Sequence, residues 1–156
     1  QPRGVLVGAD GTAESVPVIE FAYRQAALHD CALTVLHCFW DVAAAVAQYH
    51  EARGEPVAGP ELEDLRALVA ESVAGLATLY PDVPVALDLK HGLVDEALTS
   101  DVERWELVVV GRHPMDSLGR TLTGSIATTV LERARTTVAV VPETRPAAMA
   151  QARTSD

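Results

Sequence analysis

Residues 111–126 run Gly-Arg-His-Pro-Met-Asp-Ser-Leu-Gly-Arg-Thr-Leu-Thr-Gly-Ser-Ile, directly after the apolar stretch Leu107, Val108, Val109 and Val110. A loop that leaves a strand and ends in Gly-Ser at a helix start carries backbone N–H groups with no intrahelical partner. Together with the positive end of the helix dipole, those donors suit a phosphate or another anion. The plainer reading is that Gly111 and Gly124 only let the chain turn. A second candidate lies at the first turn, Gly8-Ala9-Asp10-Gly11-Thr12, where Asp10 leaves an apolar strand. Asp10 serves either as a ligand for a bound group or as a helix cap or Asx-turn.

These two segments need a framework that brings them together. Five short apolar runs, at residues 5–7, 33–38, 83–89, 107–110 and 137–141, alternate with helical patterns. The first, fourth and fifth are continuously apolar, as in strands covered on both faces. The third alternates polar with apolar and contains Pro84, which suits a sheet edge. Apolar residues step by three or four through Val16, Ile19, Tyr23 and Ala26 or Ala27. The same spacing links Leu62, Leu65, Val69, Val73, Leu76 and Tyr80, then Val94, Ala97, Leu98 and Val102, and finally Ile126, Val130 and Ala134. Residues 41–52 could add a further helical segment, and 53–60 read as a loop from their Gly and Pro content.

Strand–helix alternation predicts an α/β fold: an open parallel sheet with right-handed crossovers and helices on both faces. With strand order 3-2-1-4-5, the winding reverses between strands one and four, and ligands bind such sheets at that place. Asp10 and the Gly111 loop then face one crevice. Residues 1–143 form this single domain, and 144–156 read as a mobile tail.

Composition narrows the partners. The chain has 156 residues, enough for a real core. A formal charge of −10 argues against a nucleic-acid partner. No apolar run approaches the ~20 residues that span a bilayer, and no signal peptide is expected at the start. A chain that opens on Gln1 instead of Met reads as trimmed or as one piece of a longer protein. Lys90 is the sole lysine among 12 basic residues and lies in no Gly-rich loop. Cys31 and Cys38, along one strand region, stand over roughly 20 Å apart, beyond disulfide reach, and read as buried thiols in a reducing compartment. His29, His37, His50, His91 and His113 show no metal-ligand spacing. His37 is expected to be a hydrogen-bonded core histidine, His113 a solvated loop residue, and His91-Gly92 a turn. Trp40 and Trp105 read as packing residues.

Catalytic motifs are missing. There is no G-x4-G-K-[ST] loop, no G-x-S-x-G elbow, no CxxC pair and no G-x-G-x-x-G after the first strand. An enzyme is the minority reading.

Several segments nevertheless resemble one family in order and spacing. Val7-Gly8-Ala9-Asp10-Gly11-Thr12 is similar to the V-G-x-D-G-S opening of the universal stress protein family. Leu33 to Cys38 resembles its second strand, L-x-L-x-H-V. Val108 to Arg112, with Leu122-Thr123-Gly124-Ser125-Ile126, resembles its G-x2-G-x9-G-[S/T] signature. The run Thr137 to Pro142 resembles its closing P-V-x-V-V.

The resemblance implies a Rossmann-like sheet of the adenine nucleotide alpha hydrolase-like type, and a cytoplasmic, bacterial stress-response module. It implies a homodimer or tandem pairing through strand five, and ATP between strands one and four. On that basis Asp10 lies near ribose, phosphates or a nucleotide-bound Mg²⁺, and the backbone of Ala9 and Cys38 borders the adenine. Val110, Gly111, Gly124, Ser125 and the Ile126 amide cradle ribose and phosphates. Pro114 stands where the signature has its second glycine. It offers no N–H, and losing a bond to a charged group costs roughly 1.5–3 kcal/mol, about tenfold to a hundredfold in affinity. Asp116 adds negative charge nearby, which Arg112 and Arg120 offset. Two alternatives follow: a nucleotide-free dimerisation or protein-interaction module, and a slow ATP hydrolase.

Overall fold

The computed structural model describes residues 4–9, 13–39, 60–92, 94–100, 104–112 and 126–144. Five strands, β1 (Val5–Gly8), β2 (Leu33–Phe39), β3 (Val85–His91), β4 (Leu107–Arg112) and β5 (Thr137–Pro142), form one sheet in the order β3-β2-β1-β4-β5. Every neighbouring pair is parallel, with Val7 opposite Val35 on one side and Val109 on the other. Between the strands lie α1 (Val16–Leu28), α2 (Pro60–Leu79), α3 (Val94–Thr99) and α4 (Ile126–Arg133), with a 3-10 turn (Ala13–Ser15) ahead of α1.

Side-chain alternation along the strands divides the core into two layers. Val5, Val7, Leu33, Val35 and Val109 pack against Val18, Ile19, Ala22, Tyr23 and Ala26 of α1 and Val69, Val73 and Leu76 of α2. Leu6, Leu36, Val108 and Val110 face the other way, onto Leu98 of α3 and Ala127 and Val130 of α4. The helices after β1 and β2 therefore cover one face, and those after β3 and β4 cover the opposite one. The winding reverses between β1 and β4, as the sequence pattern requires.

Helix α1 carries Pro17 in its first turn, where its missing N–H costs nothing. It closes on Asp30 at φ 50°, with Cys31 N–H donating to the Ala26 carbonyl at 3.0 Å and Asp30 N–H to Ala27 at 3.4 Å. This is the paired-bond helix ending usually built on glycine, here on an aspartate that tolerates the left-handed region.

Strand β5 touches both layers, Ala139 and Val141 on one face and Val138 and Val140 on the other, but as an edge strand it leaves all four only half-buried. One helix stripe needs correction. Ile126 does not face the core; it is 41% exposed, and Ala127 and Val130 carry the buried stripe of α4. In α1, of the two alternatives Ala26 is buried and Ala27 exposed, and Val18 and Ala22 join Ile19 and Tyr23 in the stripe. Pro60, read as the end of the 53–60 loop, opens α2 instead, and Thr144, read as the first tail residue, donates its N–H to the Glu14 carbonyl at 3.2 Å. The expected helix at 41–52 and the rest of that loop and tail lie outside the described residues, as do Trp40, Val102 and His113.

Among the described residues Tyr23 is the largest fully buried side chain, stacked on Tyr80 with ring centroids 5.7 Å apart. Its hydroxyl has no hydrogen-bond partner among the described residues, and burial raises its pKa. A buried donor without a partner keeps its full desolvation cost. Tyr23→Phe is therefore expected to hold or raise stability, by up to about 1 kcal/mol or roughly 2–4 °C in Tm. A fall of that size in a thermal melt would show that the hydroxyl is satisfied.

Candidate functional site

The carboxyl ends of β1, β2 and β4 lie at one end of the sheet, which brings together the described starts of the two sequence-predicted segments, Ala9 and Gly111. Of the eight candidate residues, Ala9, Cys38, Val110, Gly111 and Ile126 are described, and Asp10, Gly124 and Ser125 fall outside the described residues. The same holds for Pro114, Asp116 and Arg120 of the intervening loop.

Ala9 follows β1 directly and is 8% exposed. Its N–H donates to the Leu36 carbonyl at 2.9 Å. Its carbonyl accepts from His37 Nδ1 at 2.7 Å. A carbonyl can only accept, so the imidazole proton on that side sits on Nδ1. His37, 7% exposed, is one of two buried polar residues among those described, and it is the hydrogen-bonded core histidine the sequence implies. Its position is more pointed than that reading, because it touches the last described residue before Asp10.

Val110 is 2% exposed and anchors the end of β4 on the α3–α4 face. Strand β4 continues through Gly111 and Arg112, paired with Val141 and Pro142, so Gly111 is strand and not loop. Its backbone is outside the left-handed region, and no turn requires a glycine there. Space requires it instead. A Cβ at 111 would overlap the Glu143 carboxylate, with Glu143 Cγ only 3.1 Å away. Glu143 is held there by its own backbone: its N–H donates to the Arg112 carbonyl at 3.0 Å, and Thr144 N–H donates to the Glu14 carbonyl at 3.2 Å. Sequence reasoning placed Glu143 only at the domain boundary. The available signal was its position just past β5, at the same end of the sheet as the other candidates.

Cys38 and Cys31 are both free thiols. Cys38 packs partly against the α3–α4 layer. Burial pushes its thiol up to about 11, the neighbouring Lys90 ammonium lowers it, and Asp88 raises it. That shift and the packing against α3 and α4 suit a packing role for the Cys38 side chain. Burial, then Glu106, raises Cys31. Lys90 pairs with Asp88 at 3.7 Å on the exposed β3 edge, away from the β1–β4 crevice. Beside that pair, a groove of about 350 Å³ runs between β3 and α3, lined in part by Leu36, Ala86, Ser100, Arg104 and Trp105. Among the described residues, no group of three or more His, Cys, Asp or Glu could hold a metal ion. No helix among them is long and apolar enough to cross a membrane.

The Glu143 carboxylate places an acidic group beside Gly111, at the carboxyl end of β4.

The family model described as the universal stress protein family matches residues 2–142. A universal stress protein of Mycolicibacterium smegmatis is 31% identical over 144 residues, covering 88% of this chain and 47% of the relative. Universal stress protein Rv2005c of Mycobacterium tuberculosis is 32% identical over 140 residues, covering 90% and 45%. The chain thus spans about half the length of the curated relatives it matches. Among solved structures, a universal stress protein in complex with cAMP superposes with a TM-score of 0.64 at 20% identity, covering 92% of this chain and 98% of that one. The universal stress protein of Archaeoglobus fulgidus in complex with dAMP gives 0.54 at 14% identity, with 92% and 98% covered.

Proposed function

This chain belongs to the universal stress protein family, and from that premise we propose that its β1–β4 crevice binds an adenine nucleotide, with ATP as the ligand, in a stress-response regulatory role. The observation that carries the reading is the reversal of winding between β1 and β4, which sets Ala9 and Gly111 at one end of adjacent strands. Family structures solved with cAMP and dAMP support an adenine ligand.

In this reading the backbone at Ala9 and Cys38 borders the base, and Val110 and Gly111 border the ribose. Gly124, Ser125 and the Ile126 amide hold phosphates through the start of α4. Asp10 is the residue that would meet a nucleotide-bound Mg²⁺. Occupancy would act by population shift: a ligand preferring one state of the loops or of an assembly drives the chain toward that state. The half-exposed β5 edge suits pairing with a second copy, or with a tandem neighbour of the kind the longer relatives have room for. Isothermal titration with ATP and Mg²⁺ tests the ligand directly. Saturable binding below millimolar supports it, and no binding at millimolar nucleotide overturns it.

One observation favours the rival, an interaction module without nucleotide. The Glu143 carboxylate stands beside Gly111, where its charge would oppose phosphate oxygens brought to that end of β4. Under the nucleotide reading, Glu143→Gln removes a like charge and should tighten ATP about threefold, with AMP changing less. Equal effects on both nucleotides would place the polyphosphate elsewhere.

A further inference from the structure

The β1–β2 ladder ends in an unusual way. In a parallel pair, the N–H and C=O of one residue bond to neighbours two positions apart on the adjacent strand. Ala9 N–H donates to the Leu36 carbonyl at 2.9 Å, so a continued ladder would bring the Cys38 N–H to the Ala9 carbonyl. The ladder instead stops at Gly8 opposite Leu36. The Ala9 carbonyl takes the His37 side chain, Nδ1 to oxygen 2.7 Å. Among the described residues, no backbone hydrogen bond joins Cys38 to β1.

We infer that His37 is a positioning and specificity residue: by occupying the Ala9 carbonyl it keeps the Cys38 N–H for the edge of a bound adenine. This rests on the nucleotide reading above. The imidazole lies on the α1–α2 face, in line with Leu33 and Val35, whereas the Cys38 side chain faces α3 and α4. The Cys38 backbone therefore points along the sheet, toward the end of β1. A lone N–H donor there matches the acceptor nitrogen N1 of adenine. Guanine presents a donor at the same ring position, so it would meet the Cys38 N–H donor to donor.

Removing the side-chain donor frees the Ala9 carbonyl to recapture the Cys38 N–H and extend the ladder by one bond. His37→Leu supplies similar bulk without a donor. His37→Asn places an amide N–H at the position of Nδ1 with less bulk. A space-filling role favours leucine, whereas a donor role favours asparagine.

The test is titration of ATP and GTP into the wild type, His37→Leu and His37→Asn, with thermal melts of each. Expected are a wild-type preference for ATP, about tenfold weaker ATP binding and lost discrimination in His37→Leu, and recovery of both in His37→Asn. Amide exchange on the wild type guards against a leucine variant that does not fold. The Cys38 amide should exchange faster than Val35 in the free protein and become protected on adding ATP. Unchanged ATP/GTP discrimination in His37→Leu, or a Cys38 amide already protected without ligand, overturns this inference while leaving nucleotide binding intact. A wild type that binds no ATP overturns both.

Discussion

Gly124→Arg is expected to weaken ATP binding at least about a hundredfold, equivalent to roughly 2.7 kcal/mol, while shifting the melting temperature little. Helix α4 begins at Ile126, so Gly124 and Ser125 immediately precede its first turn. The N–H groups of a first helical turn lack carbonyl partners and offer themselves to an anion. A ligand can approach backbone that closely only where no side chain intervenes. An arginine at 124 puts a long side chain in that approach, although its charge would attract phosphate. A drop in affinity therefore reports on space and not on electrostatics. Titration calorimetry on matched samples decides it. An unchanged dissociation constant would move the nucleotide away from α4, and the interaction-module reading expects no ligand-dependent difference at all.

The second large effect is on stability. Gly4→Ala should cost about 3 kcal/mol or more, a fall of roughly 6–12 °C in Tm for a domain of this size. Gly4 has φ +101°, a conformation L side chains rarely adopt. A Cβ there would also overlap the Ala32 carbonyl oxygen, and Ala32 is backbone that cannot swing aside. That carbonyl is meanwhile fixed, accepting from Val5 N–H at 2.9 Å, and the Gly4 carbonyl accepts from Glu106 N–H at 3.0 Å. Gly4 is thus the point where the entries to β1, β2 and β4 are tied together. Gly111→Ala is the useful comparison. It also meets an occupied space, but its neighbour is the movable end of Glu143, and its backbone is ordinary strand. A melt in which the two variants fall equally would contradict the role given to Gly4.

The contrast between these glycines shows where sequence reasoning stops. The residues around Gly111 read as a loop glycine next to a strand, because a glycine after an apolar run usually marks a turn. The chain instead uses it to admit a carboxylate from just past β5, a contact between positions 32 residues apart. No local pattern encodes that. His37 was legible as a core histidine, but its partner was not, because Ala9 lies 28 residues away and any carbonyl could have served. Ile126 was misread for a different reason. A three-or-four-residue stripe fits several starting points, and only the docking of α4 on Val108 and Val110 selects Ala127 and Val130.

What the sequence by itself determined was the kind of sheet, its strand order and the end of the sheet at which Ala9 and Gly111 lie. Apolar runs too short for helices, separated by amphipathic segments, leave a parallel sheet as the arrangement that buries them, and crossover handedness then limits the order. Tertiary structure alone decided the contacts at that end: the imidazole on the Ala9 carbonyl and the carboxylate beside Gly111. Hydrophobic burial follows periodicity along the chain, whereas a hydrogen bond or a steric exclusion depends on which distant atoms the finished fold brings within about 3 Å.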